Sequence, residues 1–107
     1  MADWCRAARE EDLPPGAITR IDAEDTPIAV VNLGGEYFAI ANLCTHMEAE
    51  LHEGDLDADG ELVCPAHGAR FDVRTGEALT PPAFEGLETY PVRVEDGTVY
   101  VHPEPFG

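Results

Sequence analysis

Positive charge is what this chain has least of. Six basic residues stand against 22 acidic ones, for a formal net charge of −16. Such a surface repels phosphate, which argues against nucleic acid or an anionic membrane as a partner and favours one carrying a basic patch. The same acidity serves solubility, and the two roles are compatible. Long apolar runs are missing too: none approaches the roughly 20 residues that a membrane span needs. The start, Met1-Ala2-Asp3-Trp4, lacks the basic-then-apolar pattern of a secretory signal, so the expected location is the cytoplasm. There are only three cysteines, an odd number that makes a disulfide framework a poor reading. No stretch keeps a 3.6-residue apolar period beyond about two turns, which argues against a helical bundle.

What is present suits a small folded protein. A chain of 107 residues with 44% apolar and 26% charged residues has room for one core, so residues 1–107 are expected to form a single domain. Short apolar alternations are punctuated by turn signals. The run at 26–32 is followed by Leu33-Gly34-Gly35-Glu36 and a returning run at 37–41, a hairpin pattern. A second hairpin is expected from 90–95 and 98–102 around Asp96-Gly97. A shorter one joins 55–56 to 61–63 through Asp57-Ala58-Asp59-Gly60, and 71–73 leads into Thr75-Gly76-Glu77. Nearer the start, 2–7 and 17–21 read as strands flanking a loop or single helical turn at 10–16. Eight to ten short strands predict an all-β protein, an antiparallel sandwich or barrel. The segment 80–86, with Pro81 and Pro82, is expected to be a loop, because proline donates no hydrogen bond to a ladder.

Two segments carry chemistry: Cys44-Thr45-His46 and Cys64-Pro65-Ala66-His67, separated by 17 residues. In extended chain, residues two apart face the same way, so Cys44 and His46 can address one site. Pro65 and Gly68 allow the second loop a tight turn that does the same for Cys64 and His67. Two thiolates and two imidazoles suit zinc. Zinc sites, however, usually pair cysteine with cysteine and histidine with histidine, whereas here each loop mixes the two. Mixed loops suit a two-iron cluster, to which each loop gives one ligand of each type. On spacing both readings stand, the cluster ahead of zinc.

These residues resemble the Rieske signature, C-x-H followed after a comparable gap by C-x2-H-G. The resemblance extends to the Gly-Gly hairpin before the first loop, to Phe71-Asp72, to the Thr75-Gly76 turn and to a later proline loop ending in Tyr90-Pro91-Val92. It implies a Rieske iron-sulfur fold: a β-sandwich or barrel base with a small cluster-binding subdomain at about 43–83. It implies a 2Fe-2S cluster held by Cys44, His46, Cys64 and His67, with the loop at 80–86 covering it. With two neutral imidazoles the oxidised cluster carries no net formal charge, whereas one with four thiolates starts with two negative charges, so histidine ligation eases reduction.

Departures from the respiratory members of that family narrow the expectation. Those proteins carry an extra cysteine in each loop, joined as a disulfide, where this chain has Ala49 and Ala66. They also place hydroxyls near the cluster where this chain has Ala69 and Phe71. Each missing hydroxyl removes a hydrogen bond that favours the reduced cluster, so a potential low in the Rieske range is expected. The nearest resemblance is to the ferredoxin components of bacterial ring-hydroxylating dioxygenases. These are monomeric electron carriers rather than enzymes, and they pass electrons transiently from an NAD(P)H-dependent flavin reductase to a terminal oxygenase. A Rieske-fold small subunit of a nitrite reductase or monooxygenase complex is the alternative. Once His46 and His67 are used, only His52 and His102 remain, a poor basis for a second, mononuclear iron site. Cys5 reads as an apolar filler or modest surface thiol, and Trp4, Tyr37, Phe38 and Tyr100 as packing residues.

Overall fold

In the computed structural model, which describes residues 4–42, 50–65, 68–80 and 86–105, the apolar run at 26–32 lies on β3 (Thr26–Leu33) and organises the architecture. Ile28, Ala29, Val30 and Val31 are consecutive and all fully buried. Successive side chains of a strand point to opposite faces, so four buried in a row require cover on both. Ile28 and Val30 enter one core; Ala29 and Val31 enter another. The neighbouring strand β4 (Glu36–Ala41) divides in the same way, Ala39 to the first core and Ile40 to the second.

Three antiparallel sheets supply the cover. The central one runs β2 (Ile18–Ala23), β3, β4, β8 (Thr89–Tyr90). Against one face lies the sheet β1 (Cys5–Arg9), β10 (Thr98–Val101), β9 (Val92–Glu95). Val99 and Val101 of that sheet join Ile28, Val30, Leu13 and Tyr90 in one core. The other core joins Ala29, Val31 and Ile40 to a small sheet of β5 (Asp55–Leu56), β6 (Glu61–Val63) and β7 (Arg70–Asp72) through Leu62, Cys64, Ala69 and Phe71. The base is thus a two-sheet sandwich, and the small sheet is a third layer that shares a core with it. Asn32, itself buried, ties the base together: its amide donates to the Leu13 carbonyl at 2.8 Å and its Oδ1 accepts from Gly35 N–H at 2.8 Å.

The all-β expectation holds, and all three hairpins form, with Leu33 opposite Glu36, Glu95 opposite Thr98 and Leu56 opposite Leu62. Differences lie at the edges. The strand expected at 90–95 is broken at Pro91: Tyr90 pairs with Ala39 in the central sheet, while Val92 pairs with Val101 in the second. Proline, which cannot donate to a ladder, marks the point where the chain changes sheets. The first strand lies at Cys5–Arg9 rather than 2–7 because its register is set by β10, with an irregularity between Arg6 and Ala8. The second lies at Ile18–Ala23 rather than 17–21, and the strand expected at 71–73 lies at Arg70–Asp72. A 3-10 turn at Glu10–Asp12 answers the helical turn expected there; another, at Leu51–Glu53, was not expected. Most of the proline loop, 81–85, lies outside the described residues. Among the described residues, no helix is long and apolar enough to cross a membrane.

Candidate metal centre

Of the four expected ligands, Cys64 is described; Cys44, His46 and His67 lie outside the described residues. Cys64 follows the last residue of β6 and opens the turn that leads into β7. Its N–H donates to the Ala69 carbonyl at 2.7 Å, and its carbonyl accepts from Gly68 N–H at 3.0 Å. Gly68 closes that turn at φ +73°, the left-handed region where a Cβ is disfavoured. Cys64 is thus hydrogen-bonded through its backbone to both Gly68 and Ala69, where the chain returns towards β7. Pro65 and Gly68 are exposed while Cys64 is 1% exposed.

The thiol sits in the second core with Leu51, Leu62, Ala69 and Phe71, all fully buried. An apolar wall of this kind excludes water and lowers the local dielectric, so charge at the sulfur is felt strongly. Ala69 and Phe71 bring no hydroxyl to that wall. The Thr80 hydroxyl is engaged nearby in the fold, accepting from Arg70 N–H at 3.0 Å, and Leu79 N–H donates to the Arg70 carbonyl at 2.8 Å. These bonds tie the start of the 80–86 segment to β7.

The other loop is bounded by Asn42, after β4, and Glu50, before the 3-10 turn Leu51–Glu53. Asn42 is fully buried. Its backbone N–H donates to the Pro27 carbonyl at 3.0 Å and its carbonyl accepts from Leu51 N–H at 2.7 Å. Its Oδ1 accepts from His52 N–H at 2.9 Å, which fixes the amide orientation; Nδ2 then donates to His52 Nδ1 at 3.1 Å and to Glu50 Oε1 at 3.4 Å. Glu50 is also paired with Arg20 of β2. The hydrogen bond from Arg20 to Asp22 lifts the guanidinium above its ordinary value against some desolvation, and Glu50 adds to the effect. Beyond the 3-10 turn, Gly54 packs so close to β6 that a Cβ there would stand 1.9 Å from the Val63 carbonyl oxygen. The residue after Val63 is Cys64.

Asp57 organises the hairpin below. Its Oδ1 accepts from Asp59 N–H at 3.0 Å and Glu61 N–H at 3.1 Å, and its Oδ2 takes the Arg70 guanidinium at 2.8 Å. These bonds, that from Glu61 first, hold the Asp57 carboxyl below its ordinary value against partial desolvation. Among the described residues, two groups bring three donor atoms within 4.8 Å of one another: Glu50, His52 and Glu53, and Asp57, Asp59 and Glu61. Glu50 is committed to Arg20 and Asn42, and Asp57 and Glu61 to Arg70, so both have protein partners.

The residues that reading the sequence passed over are Asn42, Leu51 and Gly54. An asparagine two positions before Cys44 carried a signal that went unused, because a polar side chain between an apolar strand and a loop marks a buried hydrogen-bonding junction. The remaining candidates stand as expected or nearly so. His102 follows β10 at a strand end, edge-on to Trp4 with ring centres 5.2 Å apart, and Arg93 lies 4.8 Å over the same indole. Cys5 is half-buried against the base core, as are Tyr37 and Ala7, while Phe38 packs on the core shared with Cys64.

Residues 3–91 match the family described as Rieske [2Fe-2S] domain. The 3-phenylpropionate/cinnamic acid dioxygenase ferredoxin subunit of Escherichia coli K12 is 44% identical over 90 residues, 84% of each chain. The ferredoxin of carbazole 1,9a-dioxygenase from Nocardioides aromaticivorans IC177 superimposes with a TM-score of 0.92 at 36% identity, over 96% of this chain and 100% of that one. A chain from a complex of reduced oxygenase and oxidised ferredoxin in carbazole 1,9a-dioxygenase matches with a TM-score of 0.92 at 35% identity, covering 97% of this chain and 96% of that one.

Proposed function

The chain belongs to the Rieske [2Fe-2S] family, and from that premise we propose that it is the ferredoxin component of an aromatic-ring-hydroxylating dioxygenase system. It is an electron carrier, not itself an enzyme, and its cofactor is a Rieske 2Fe-2S cluster. The ligands are Cys44, His46, Cys64 and His67. The observation that carries this reading is the placement of Cys64, a buried thiol heading a closed turn in an apolar core. The ferredoxins of dioxygenase systems resemble the chain over most of both lengths. The donor set, two thiolates and two imidazoles, fits the cluster. When bound, the cluster accepts one electron and gives it up again, with no bond made or broken elsewhere.

This chain's residues do the rest. The Cys64 turn holds its thiolate against Ala69 and Phe71, where water is excluded, and the absence of hydroxyls there keeps the reduced form less favoured, hence a low potential. Residues 1–107 act as one domain whose cluster-binding part spans roughly 43–83. The electron enters from the flavin of an NAD(P)H-dependent reductase and leaves to a terminal oxygenase. It is that oxygenase which selects the aromatic substrate. Both encounters are transient, and the carrier is a cytoplasmic monomer. Its acidity, with Glu48, Glu50, Glu53, Asp55 and Asp57 lying between the two ligand pairs in sequence, steers it towards basic partner surfaces.

Absorption and electron paramagnetic resonance of the anaerobically purified protein test the cofactor. A coloured oxidised form and a reduced form with a Rieske signal are expected; a colourless protein with stoichiometric zinc overturns the reading. Stopped-flow electron transfer to a dioxygenase across a salt series tests the steering. The rate is expected to fall as salt rises, and a flat profile refutes the electrostatic part.

A further inference from the structure

The two flanks of segment 43–49 are joined to each other by one side chain. We propose that Asn42 is a positioning residue: it clasps the chain just before Cys44 and His46 to residues 50–52, and the ligand function of those two residues depends on that clasp. The geometry is independent of the function proposed above, while its consequence for a cluster rests on that reading.

Asn42 is fully buried, and its side chain is fully engaged on the far side of the segment. His52 N–H gives to Oδ1, and the two Nδ2 hydrogens go to His52 Nδ1 and Glu50 Oε1. The backbone adds the bond from Leu51 N–H to the Asn42 carbonyl. Residue 42 thus meets three consecutive residues, 50, 51 and 52, and fixes the separation of the two described stretches on either side of 43–49. The near side is equally fixed, because Asn42 N–H is bonded to the Pro27 carbonyl on β3 of the central sheet. On the far side, Glu50 is held from a third direction by Arg20 of β2.

Leu51, fully buried in the core with Cys64, is the other candidate anchor. A leucine side chain in an apolar core fixes depth but not direction, since packing is not directional, whereas three hydrogen bonds from one amide to two neighbours fix orientation as well. The donor pattern is also specific to a carboxamide, and glutamine, the other residue with one, is a methylene too long to place it at the same atoms. Aspartate has the size and the acceptor but no hydrogen to give, and it sets a carboxylate against Glu50. Converting Glu50 to glutamine supplies the missing donor, and the neutral His52 ring can move its proton to Nδ1 to supply the other.

The experiment compares the parent protein as purified with Asn42→Asp, Glu50→Gln and the double variant. Hydrogen exchange at the amides of Leu51 and His52 is read by fragmentation mass spectrometry. Cluster lifetime in air and the g values of the reduced form are read alongside. In Asn42→Asp, exchange at those two amides is expected to accelerate by at least about tenfold, the scale of one lost buried hydrogen bond. Leu62 and Phe71 should keep their parent rates. Cluster lifetime should shorten and the g values shift, and the double variant should recover both. Glu50→Gln alone should change little, because its ion pair with Arg20 is partly exposed. Parent-like exchange at Leu51 and His52 in Asn42→Asp overturns the proposal, as does a double variant no better than the single one. Changed exchange in a protein that never holds iron supports the positioning and refutes the ligand reading instead, so the two failures are distinct.

Discussion

Gly54→Ala isolates a single steric event next to the candidate centre. Gly54 has φ −87° and ψ −167°, extended backbone that any residue adopts, so alanine meets no conformational penalty. The added Cβ, however, would stand 1.9 Å from the Val63 carbonyl oxygen, with the Val63 carbon at 3.1 Å and the Leu51 oxygen at 3.3 Å. None of these atoms belongs to a side chain that can swing away. The 3-10 turn and β6 must separate by roughly 1 Å, displacing the peptide that leads into Cys64; overpacking of this kind costs about 1–3 kcal/mol. In a domain of this size each kcal/mol moves the melting temperature by about 4–8 °C, so a fall of about 5–20 °C is expected. Gly86→Ala is the matched control: it meets another carbonyl oxygen, that of Gly76, at 2.9 Å, with its next contact at 3.6 Å. A shift of a tenth or two of an ångström relieves that contact, and the stiffer unfolded chain offsets it, so its melt should stay within about 2 °C of the parent. Thermal unfolding followed by far-ultraviolet circular dichroism at one scan rate reads both variants. A Gly54→Ala protein that melts with the parent refutes the packing argument, and an equal fall in both variants shows that the contact distance is not the cause.

Replacing Cys64 with serine removes a thiolate from the proposed donor set, and iron content together with visible absorbance should fall to background while the far-ultraviolet spectrum stays β-like; retained colour would remove Cys64 from the ligand set. Phe71→Tyr adds a hydroxyl at a fully buried position beside Cys64. If missing hydroxyls hold the potential down, protein-film voltammetry should find it raised, and an unchanged or lower value defeats that account. The Asp57 carboxyl is held below its ordinary value of 3.8. The folded state therefore binds its proton less readily than the unfolded one, and the stabilisation is complete above that value and lost as pH falls through the lower, folded one. Urea midpoints measured through the acid range should show a limb that flattens in Asp57→Asn, and identical limbs would exclude Asp57 as its source. At the alkaline end, burial raises the Tyr90 phenol above 10.0, with Glu88 adding to it. The folded form then keeps its proton longer, and stability should decline once pH passes 10.0, less so in Tyr90→Phe.

Much of this protein follows from its linear order of residues. The strands at 26–32 and 37–41 are announced by apolar runs around Gly34-Gly35, and the hairpin at Asp96-Gly97 by a turn dipeptide, because turn chemistry and side-chain alternation are local properties. The pairing of one cysteine with one histidine in each of two loops is equally local, since ligand type and spacing lie in the sequence itself, and with them the family and its cofactor. Other features depended on what comes together from a distance. Pro91 announces a break, but only the packing of two sheets shows that the chain changes from one to the other there. Four buried residues in a row on β3 could equally have marked a short helix; their division between two cores needs the third layer in place. Asn42, ordinary in the sequence, becomes the junction of three residues eight to ten positions on. Gly54 becomes indispensable because Val63 returns to lie against it. Periodicity and ligand spacing act over a few residues and survive in one dimension, whereas burial, close approach and the partner of a buried polar group are made by chain segments far apart, and folding alone brings those together.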